Sequence, residues 1–314
     1  MKLLMLNNNL TPSLQIMNNK TIKYLILFFG IQLAFSQNER IAYLKEKLET
    51  PDDNHVMVVA HRGDWRNAPE NSLQAIQYCI DMGVDMVEID VRKTKDGHIV
   101  LMHDGSIDRT TNGRGLVKNF TLDSLKTFKL LDGLGKKTPH TIPTLEEALQ
   151  LTKNKILVNL DKAQPVFEEC VAIAKSTKTF NQIVFKSSLP YSKIKNTLSS
   201  TLNNAYYMPM IKLNNPECEP KINDYISHMK PIAIAFGIPK ERRLIMDQFQ
   251  TYRDKGTSIW VNALWPKHNA GNDDEKAALN PDVYHWYLKN NVDIIQTDRP
   301  QLLLDFLRSK KLHD

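Results

Sequence analysis

The sequence has few of the residues that mark a disulfide-stapled or disordered protein. Its 314 residues include three cysteines, and its 12 glycines and 15 prolines are spread out without a fixed repeat or a low-complexity tract. Three cysteines imply no disulfide framework, although they leave room for one disulfide. Cys79 and Cys170 lie on apolar helical patterns, where a buried free thiol is the commoner state. With 42% apolar and 24% charged residues, the chain has the composition of a globular protein with a sizeable core.

No excess of charge is large enough to indicate a nucleic-acid partner. The whole chain carries a net charge of +6, but Lys2, Lys20 and Lys23 lie in the N-terminal segment, which has no acidic residue. The rest of the chain has 38 basic residues against 35 acidic ones, and the basic residues form no stripe. We therefore expect no binding of nucleic acid.

No apolar run is long enough to span a bilayer comfortably. The run Tyr24–Phe35 has about a dozen residues, whereas a spanning helix needs roughly 20. It follows Lys20 and Lys23 and ends in small residues at Ala34-Phe-Ser36, which is the order of a secretory signal. An uncleaved membrane anchor is the alternative. No cysteine lies near Ser36, so lipid attachment is not expected.

These features divide the chain into three parts. Residues 1–36 are predicted to be a signal peptide, with either Met1 or Met17 as the true start. Residues 37–55 are a lead-in helix or linker, and residues 56–314 form one domain. The domain would be exported to the periplasm or secreted, without stable insertion in a membrane. The sequence leaves the oligomeric state open.

From residue 56 onward, short apolar runs rich in β-branched residues alternate with helical patterns. The eight predicted strands cover residues 56–60, 84–91, 155–160, 182–185, 206–211, 232–236, 259–263 and 292–296. The predicted helices cover residues 70–82, 144–153, 165–176, 190–200, 219–229, 240–255, 281–290 and 300–311. Continuous apolar strands favour a parallel sheet covered on both faces. Eight such units in this length predict an α/β fold, the (β/α)8 or TIM barrel.

Two other features bear on this fold. An open, doubly wound sheet would need a glycine-rich phosphate loop after its first strand, and the sequence has His61-Arg-Gly-Asp64 instead. A long excursion follows strand two, with a turn at Lys95-Asp-Gly97 and a short helix capped by Thr121. We interpret residues 103–142 as a small insertion in the barrel.

Polar residues collect at the carboxyl ends of the predicted strands, where barrel enzymes carry their catalytic groups. The residues in question are His61, Arg62, Glu88, Asp90, His103, Asp161, Lys162, Lys186, Asn262 and Asp298. Such a distribution indicates a functional site at one end of the barrel.

Glu88 and Asp90 are two residues apart in a strand, so both side chains point to the same face. Two converging carboxylates need a compensating charge, and a divalent cation supplies it. Ligands that are all oxygen suit Mg²⁺ or Ca²⁺, and Asp161 on the next strand is a third candidate ligand. The alternative is a structural network in which these acids pair with arginine or lysine.

His61 and His103 are the best candidates for acid–base catalysis, because imidazole titrates near neutral pH. Arg62 offers a planar fork that suits a phosphate oxygen, although a salt bridge to Glu70 or Glu88 is the alternative role.

The motifs taken together resemble those of the glycerophosphodiester phosphodiesterase family in order and spacing. The matching segments are Ala60–Trp65, Pro69–Ser72, Val87–Val91, Thr94–Gly97, Met102–Asp104, Asp108–Gly113, Ile142–Ala148 and Thr297–Pro300. The resemblance implies a (β/α)8 barrel with His61 and His103 as the acid–base pair. It further implies that Glu88 and Asp90 bind a divalent metal and that Arg62 contacts phosphate.

The third strand departs from the family pattern. The family carries Glu-x-Lys there, whereas this chain reads Asn159-Leu-Asp-Lys-Ala163. Asp161 can replace the glutamate, but alanine stands at the position of the lysine, so Lys162 or Lys186 would have to supply its charge. Asn262 and Trp265, in a strand-seven segment that also differs from the family, are candidates for substrate contact. The chain therefore resembles an outlying branch of the family.

The resemblance implies metal-dependent hydrolysis of a small glycerophosphodiester to glycerol 3-phosphate and an alcohol. One histidine would deprotonate the nucleophile and the other would protonate the leaving alcohol. Two alternatives are a phospholipase D-like barrel that acts on intact lipids and a barrel that binds phosphodiesters or sugars without catalysis.

Overall fold

The computed structural model describes residues 39–51, 54–202 and 204–314. The predicted signal peptide, residues 1–36, lies outside them, so export stays a prediction. Residues 39–49, in the predicted lead-in, form helix α1. In the part of the chain that is described, no helix combines the length and the apolar character needed to cross a bilayer.

Eight parallel strands close into a barrel, which confirms the predicted (β/α)8 fold. The strands of the described residues are β1 (Met57–His61), β2 (Met86–Lys93), β3 (Ile99–Leu101), β4 (Lys129–Leu131), β5 (Lys137–Thr141), β6 (Leu157–Asp161), β7 (Ile183–Ser187), β8 (Tyr206–Lys212), β9 (Ala233–Gly237), β10 (Ser258–Asn262) and β11 (Ile294–Thr297). The barrel consists of β1, β2 and β6 to β11, and β2 pairs back onto β1 to close it.

Helices cover the outside of the barrel at the places that the sequence predicts, with two differences. They are α2 (Leu73–Met82), α3 (Leu122–Thr127), α4 (Leu145–Thr152), α5 (Phe167–Thr177), α6 (Tyr191–Ser200), α7 (Cys218–His228), α8 (Arg243–Met246), α9 (Phe249–Asp254), α10 (Asp274–Leu279), α11 (His285–Lys289) and α12 (Pro300–Ser309). The predicted helix at 240–255 is divided into α8 and α9. The unpredicted α10 precedes Pro281, which has no N–H group to continue it.

Alternation along the strands separates an outer core from an inner one. In β2, one set of side chains packs against the surrounding helices; its members are Val87, Ile89 and Val91. Met86 lies in the inner core instead. Glu88 and Asp90 have the same parity as Met86, so they face the barrel interior as the sequence predicts.

The amino-terminal end of the barrel is filled by apolar side chains. The inner core there comprises Met57, Val59, Met86, Leu157, Val184, Met208, Ala233, Trp260 and Ile294. Leu44 and Leu48 of α1 are fully buried against this layer. Helix α1 therefore plugs the end of the barrel opposite to the polar strand ends.

The excursion after β2 forms a small subdomain on the rim. β3 returns antiparallel to the end of β2, and β4 and β5 form a hairpin. The Thr121 hydroxyl accepts a hydrogen bond from the backbone N–H of Ser124 and caps α3, as predicted. The subdomain has its own apolar cluster, made of Val100, Met102, Ile107, Val117, Leu125, Leu130 and Ile142. This packing fixes the segment that carries His103.

All three cysteines are buried free thiols. Cys79, Cys170 and Cys218 form no disulfide with one another. The fold therefore does not use the single disulfide that the cysteine count allowed, and it rests on packing of the two cores.

We predict that Leu48→Ala lowers the free energy of unfolding by about 2–5 kcal/mol, because it leaves a cavity under the barrel. Leu279→Ala is the matched control, since Leu279 is also helical but 90% exposed, and it should change stability by less than about 0.5 kcal/mol. Urea unfolding followed by circular dichroism measures both. Equal effects of the two substitutions would show that α1 does not stabilise the barrel.

Candidate active site

The inner face of the barrel becomes polar toward the carboxyl ends of the strands. Its polar side chains include His61, Glu88, Asp90, Asn159, Asp161, Lys186, Asn262 and Gln296. All of these are buried except Asp161 and Asn262, which are half-buried. The polar strand ends predicted from the sequence therefore meet at one mouth of one barrel.

Three carboxylates form the centre of this mouth. Asp90 on β2 and Asp161 on β6 are partners in the parallel register, and Glu88 lies one inward position deeper. One carboxylate oxygen from each residue lies within 4.8 Å of the other two. Glu88 and Asp90 are buried, so their charges are largely removed from water. The acidic trio expected from the sequence is present as one cluster.

Two lysines compensate the charge of the cluster. Lys186 Nζ lies 3.2 Å from Glu88 Oε1 and 3.2 Å from Asp161 Oδ2. Lys162 Nζ lies 2.9 Å from Asp90 Oδ1. Ala163, at the place of the family's lysine, is buried in the outer core. Both lysines that the sequence offered as replacements thus bring their charge to the carboxylates.

The pKa shifts of these groups follow from burial opposed by ion pairing. Burial raises the pKa of Glu88 even against the positive charge of Lys186. Burial also opposes ionisation of Asp90 and Asp161, but the neighbouring ammonium groups hold the pKa of each below its usual range. The surrounding carboxylates keep the pKa of Lys186 above its ordinary value despite burial. The cluster therefore contains one carboxyl group that resists ionisation until more positive charge is supplied.

The residues present fit a divalent cation. Their ligand atoms are carboxylate oxygens on adjacent strands, a set that suits a hard cation such as Mg²⁺ or Ca²⁺. Burial raises the pKa of Glu88 despite the cations around the cluster, which are Lys162, Lys186 and the Arg62 guanidinium, so a further positive charge there would favour its ionised form. Glu88, Asp90 and Asp161 are therefore the residues that would hold the cation.

His61 is held by a carboxylate on one ring nitrogen. Its Nδ1 lies 2.7 Å from Asp298 Oδ1, which also accepts a hydrogen bond of 2.6 Å from Trp65 Nε1. The Nε2 atom of His61 lies 4.0 Å from Glu88 Oε2. A carboxylate on Nδ1 fixes the ring and leaves Nε2 directed at the cluster. Sequence reasoning placed Asp298 at the rim but gave it no role.

His103 has the same kind of support on the insertion. Its Nδ1 lies 2.6 Å from Asp104 Oδ1, and Arg109 Nε donates to Asp104 Oδ2 at 2.8 Å. Its backbone carbonyl accepts a 2.6 Å hydrogen bond from Arg92. The charge of His103 also helps to lower the pKa of the buried Asp90, after the larger effect of Lys162. His61 thus approaches the cluster beside Glu88, and His103 acts on Asp90.

Arg62 is turned toward the cluster by an unusual backbone conformation. Arg62 and Gly63 both have positive φ, 58° and 76°, and a Cβ at Gly63 would lie 2.8 Å from the Cβ of Ala75. Glycine is therefore required where the chain doubles back onto α2. The backbone N–H of Arg62 donates to Glu88 Oε2 at 3.1 Å.

The Arg62 guanidinium pairs with Glu70, at 3.2 Å, which is the alternative that the sequence left open. Its Nε lies 3.6 Å from Asp90 Oδ2 and has no hydrogen-bond partner among the described residues. Contact of Arg62 with phosphate stays a prediction.

Asn71 and Ser72, which directly precede α2, have different roles. Ser72 caps α2 by accepting from the backbone N–H of Ala75. Asn71 instead bonds Asp90 twice, since its Nδ2 donates to Asp90 Oδ2 at 3.0 Å and its Oδ1 accepts from the Asp90 N–H at 2.9 Å. Asn71 is therefore a second residue of the site that sequence reasoning missed.

Asn262 lines a cavity of about 360 Å³ at the same mouth. The Asn262 Oδ1 atom accepts a 2.6 Å hydrogen bond from Trp260 Nε1, so its orientation is fixed. The Trp265 ring is 43% exposed and stands edge-on to His61 at 5.8 Å. Other lining residues are Met210, Phe236, Lys267 and His268. The cavity therefore combines an apolar wall, from Met210 and Phe236, with polar groups that include the His268 imidazole.

Two family models match the chain. The model of the glycerophosphoryl diester phosphodiesterase family matches residues 61–229, which include every residue of the carboxylate cluster and both histidines. A model described as a domain of unknown function matches residues 207–307.

Curated relatives match over part of the chain. A glycerophosphodiester phosphodiesterase of Caldanaerobacter subterraneus subsp. tengcongensis is 39% identical over 146 residues, which cover 44% of this chain and 60% of that protein. A putative glycerophosphodiester phosphodiesterase of Bacillus subtilis is 44% identical over 100 residues, covering 32% of this chain and 41% of that protein. The match therefore spans less than two thirds of the length of these relatives.

Solved structures extend the likeness in fold to most of the chain. A glycerophosphoryl diester phosphodiesterase from Parabacteroides distasonis superposes with a TM-score of 0.70 at 24% identity, over 86% of this chain and 92% of that one. A phosphodiesterase of Oleispira antarctica, solved with the product sn-glycerol-3-phosphate, has a TM-score of 0.61 at 21% identity, over 80% and 96% of the two chains.

We predict that Lys186→Met lowers the free energy of unfolding by about 3–5 kcal/mol, because it leaves buried carboxylates without their partner. Adding Mg²⁺ or Ca²⁺ should then stabilise this variant more than the wild type, since a cation on Glu88, Asp90 and Asp161 would replace the lost charge. Lys212→Met, at an exposed position of β8, is the control. Thermal unfolding with and without the cation measures the difference. If neither cation stabilises the variant more than the wild type, the three carboxylates form a structural network only.

Proposed function

The chain belongs to the glycerophosphoryl diester phosphodiesterase family, and from that premise we propose that it hydrolyses glycerophosphodiesters to glycerol 3-phosphate and an alcohol. The observation that carries the proposal is the pair of histidines, each supported by a carboxylate on Nδ1, at a buried trio of carboxylates. The names of the relatives and the product bound to the Oleispira protein agree with this activity.

The two histidines would move the protons of the reaction. Asp298 accepts at Nδ1 of His61, so Nε2 is the atom that exchanges a proton with substrate. Asp104 likewise accepts at Nδ1 of His103, so Nε2 of His103 would exchange the second proton. One imidazole would deprotonate the nucleophile, which is either water or the vicinal hydroxyl of the glycerol. The other would protonate the oxygen of the departing alcohol.

The positive groups of the mouth would bind and orient the phosphate. A divalent cation, Mg²⁺ or Ca²⁺, held by Glu88, Asp90 and Asp161 supplies charge that offsets the negative charge growing on the phosphate oxygens. Arg62 lies beside Asp90 at the same mouth, and its guanidinium can donate to a phosphate oxygen. Lys162 and Lys186 add further positive charge, and the buried setting strengthens each interaction.

The substrate of this proposal is a small molecule. The cavity lined by Asn262 has about 360 Å³, and its Met210 and Phe236 provide an apolar wall for the alcohol group. Asn262 lines the same cavity and can contact the glycerol hydroxyls. Comparing the rates of hydrolysis of glycerophosphodiesters with different headgroups would identify the alcohol.

We predict that His61→Ala and His103→Ala each lower the turnover of glycerophosphocholine by roughly 10²–10⁴-fold, because each removes one proton-transfer group. Release of glycerol 3-phosphate measures turnover, and the panel includes other headgroups. His285→Ala, on exposed α11, is the matched control and should keep the wild-type rate. A chelator should abolish activity, and Mg²⁺ or Ca²⁺ should restore it.

Three results would contradict this proposal. Wild-type rates in both histidine variants would remove the acid–base pair. Hydrolysis of phospholipid in vesicles, with none of the soluble diesters, would favour a phospholipase D-like barrel. Calorimetric binding of a diester without any product would favour a binding protein.

We predict that Asp298→Asn lowers kcat by up to ~10⁴-fold, the size of effect that loss of the matching aspartate has in a serine-protease triad. Asparagine can no longer hold the His61 tautomer by charge, whereas the phosphate contacts are untouched. KM should therefore change little. Trp65→Phe, which removes the other donor to Asp298, is the comparison and should cost far less. A rise in KM with unchanged kcat would assign Asp298 to substrate binding instead.

A further inference from the structure

A second group of ligand-type side chains lies at the end of the barrel opposite to the acidic trio. His55 precedes β1, Asp85 precedes β2 and His313 follows α12. One ligand atom from each lies within 4.8 Å of the other two. The side chains of His55 and His313 are 3% exposed, and that of Asp85 is 1% exposed. These three residues are called the basal cluster.

The distances in the basal cluster are close to those between the ligands of one small cation. Asp85 Oδ2 is hydrogen-bonded to His313 Nε2 at 2.9 Å and lies 3.5 Å from His55 Nε2. In a tetrahedral zinc site with bonds of about 2.0–2.2 Å, neighbouring ligand atoms are roughly 3.4 Å apart. The centroids of the two imidazole rings are 4.8 Å apart, and the ring planes are tilted by 33° to each other. Little movement is needed to bring three ligands onto one ion.

Hydrogen bonds on the far side of each ring direct Nε2 into the cluster. His313 Nδ1 lies 3.0 Å from the backbone carbonyl oxygen of Asp314, which can only accept. His55 Nδ1 lies 3.2 Å from the Tyr43 hydroxyl. The oxygen of this hydroxyl can accept a hydrogen bond from Nδ1, which leaves Nε2 of His55 as the nitrogen that can bind a cation. Histidines that bind metals are held through their other nitrogen in this way.

Two buried atoms of the basal cluster have no hydrogen-bond partner within the described ranges. They are His55 Nε2 and Asp85 Oδ1. The other oxygen of Asp85 accepts from the backbone N–H of Val58 at 2.8 Å. Leaving polar atoms buried and unpaired is unfavourable, and a cation between them would satisfy both.

We propose that His55, Asp85 and His313 bind one divalent transition metal of the zinc class, independently of the proposed hydrolysis. Two imidazoles and one carboxylate suit zinc and its neighbours, unlike the oxygen ligands of the acidic trio. Asp85 Oδ1 or a water would complete the coordination. The ion would join the starts of β1 and β2 to the segment after α12, where the Val56 N–H already donates to the Leu312 carbonyl at 2.9 Å.

Metal content of the full, untagged protein tests the proposal. We expect one equivalent of Zn²⁺ to stay bound in excess Mg²⁺, and its addition to the metal-free protein to raise the thermal midpoint. His313→Gln and His55→Gln should each weaken binding by more than the ~10–100-fold typical of losing an outer-shell partner. His228→Gln is the matched control, because His228 lies 3.1 Å from Asp224 on exposed α7. It should bind zinc like the wild type.

A measurement on the wild type alone covers the case in which a variant fails to fold. Ring-nitrogen NMR should show two histidines whose Nε2 signals shift on addition of Zn²⁺. If these two rings are instead doubly protonated and unaffected by Zn²⁺, the cluster holds a proton between Asp85 and an imidazole, and the proposal is wrong. Zinc that is lost in excess Mg²⁺, or retained equally by both glutamine variants, would also overturn it.

Discussion

Compensation of buried negative charge is the constraint on which the mouth of the barrel depends. Three carboxylates converge where water is largely excluded, and unpaired charges there would be strongly unfavourable. Lys186 lies between Glu88 and Asp161, while Lys162 and Asn71 hold Asp90. This arrangement leaves one carboxyl with a raised pKa. Burial of these carboxylates is unfavourable for the fold, and it also makes the site receptive to a cation.

The barrel confines these buried carboxylates to one end. Inward positions of each strand change from apolar to charged within two residues, as in Met86, Glu88 and Asp90. The apolar end is filled by side chains and closed by α1, whose Leu44 and Leu48 are fully buried there. Because this packing stabilises the fold, the rim can hold groups that repel one another. This division is the general property of (β/α)8 barrels that separates stability from chemistry.

Local patterns predicted most of the fold, and long-range contacts limited what could be predicted of the site. Strand parity alone indicated that Glu88 and Asp90 face inward, and the fold confirms it. The bond from His61 to Asp298 joins residues 237 positions apart, so no local pattern could reveal it. Asn71 and Ser72 are both residue types that commonly cap a helix, so local sequence does not single out Asn71 as a residue of the site. Its contact with Asp90 depends on how the chain turns back after Gly63.

The register of β2 and β6 explains why an aspartate can stand where the family has a glutamate. Asp161 pairs with Asp90, so the two carboxylates start from the same level of the barrel. Glu88 pairs with Asn159, two residues deeper, which is roughly 6–7 Å along a strand. The longer side chain is needed at that deeper position, whereas a short one suffices at the rim. Lys186, on the next strand, lies between Glu88 and Asp161. It gives the cluster the positive charge that Ala163 cannot supply.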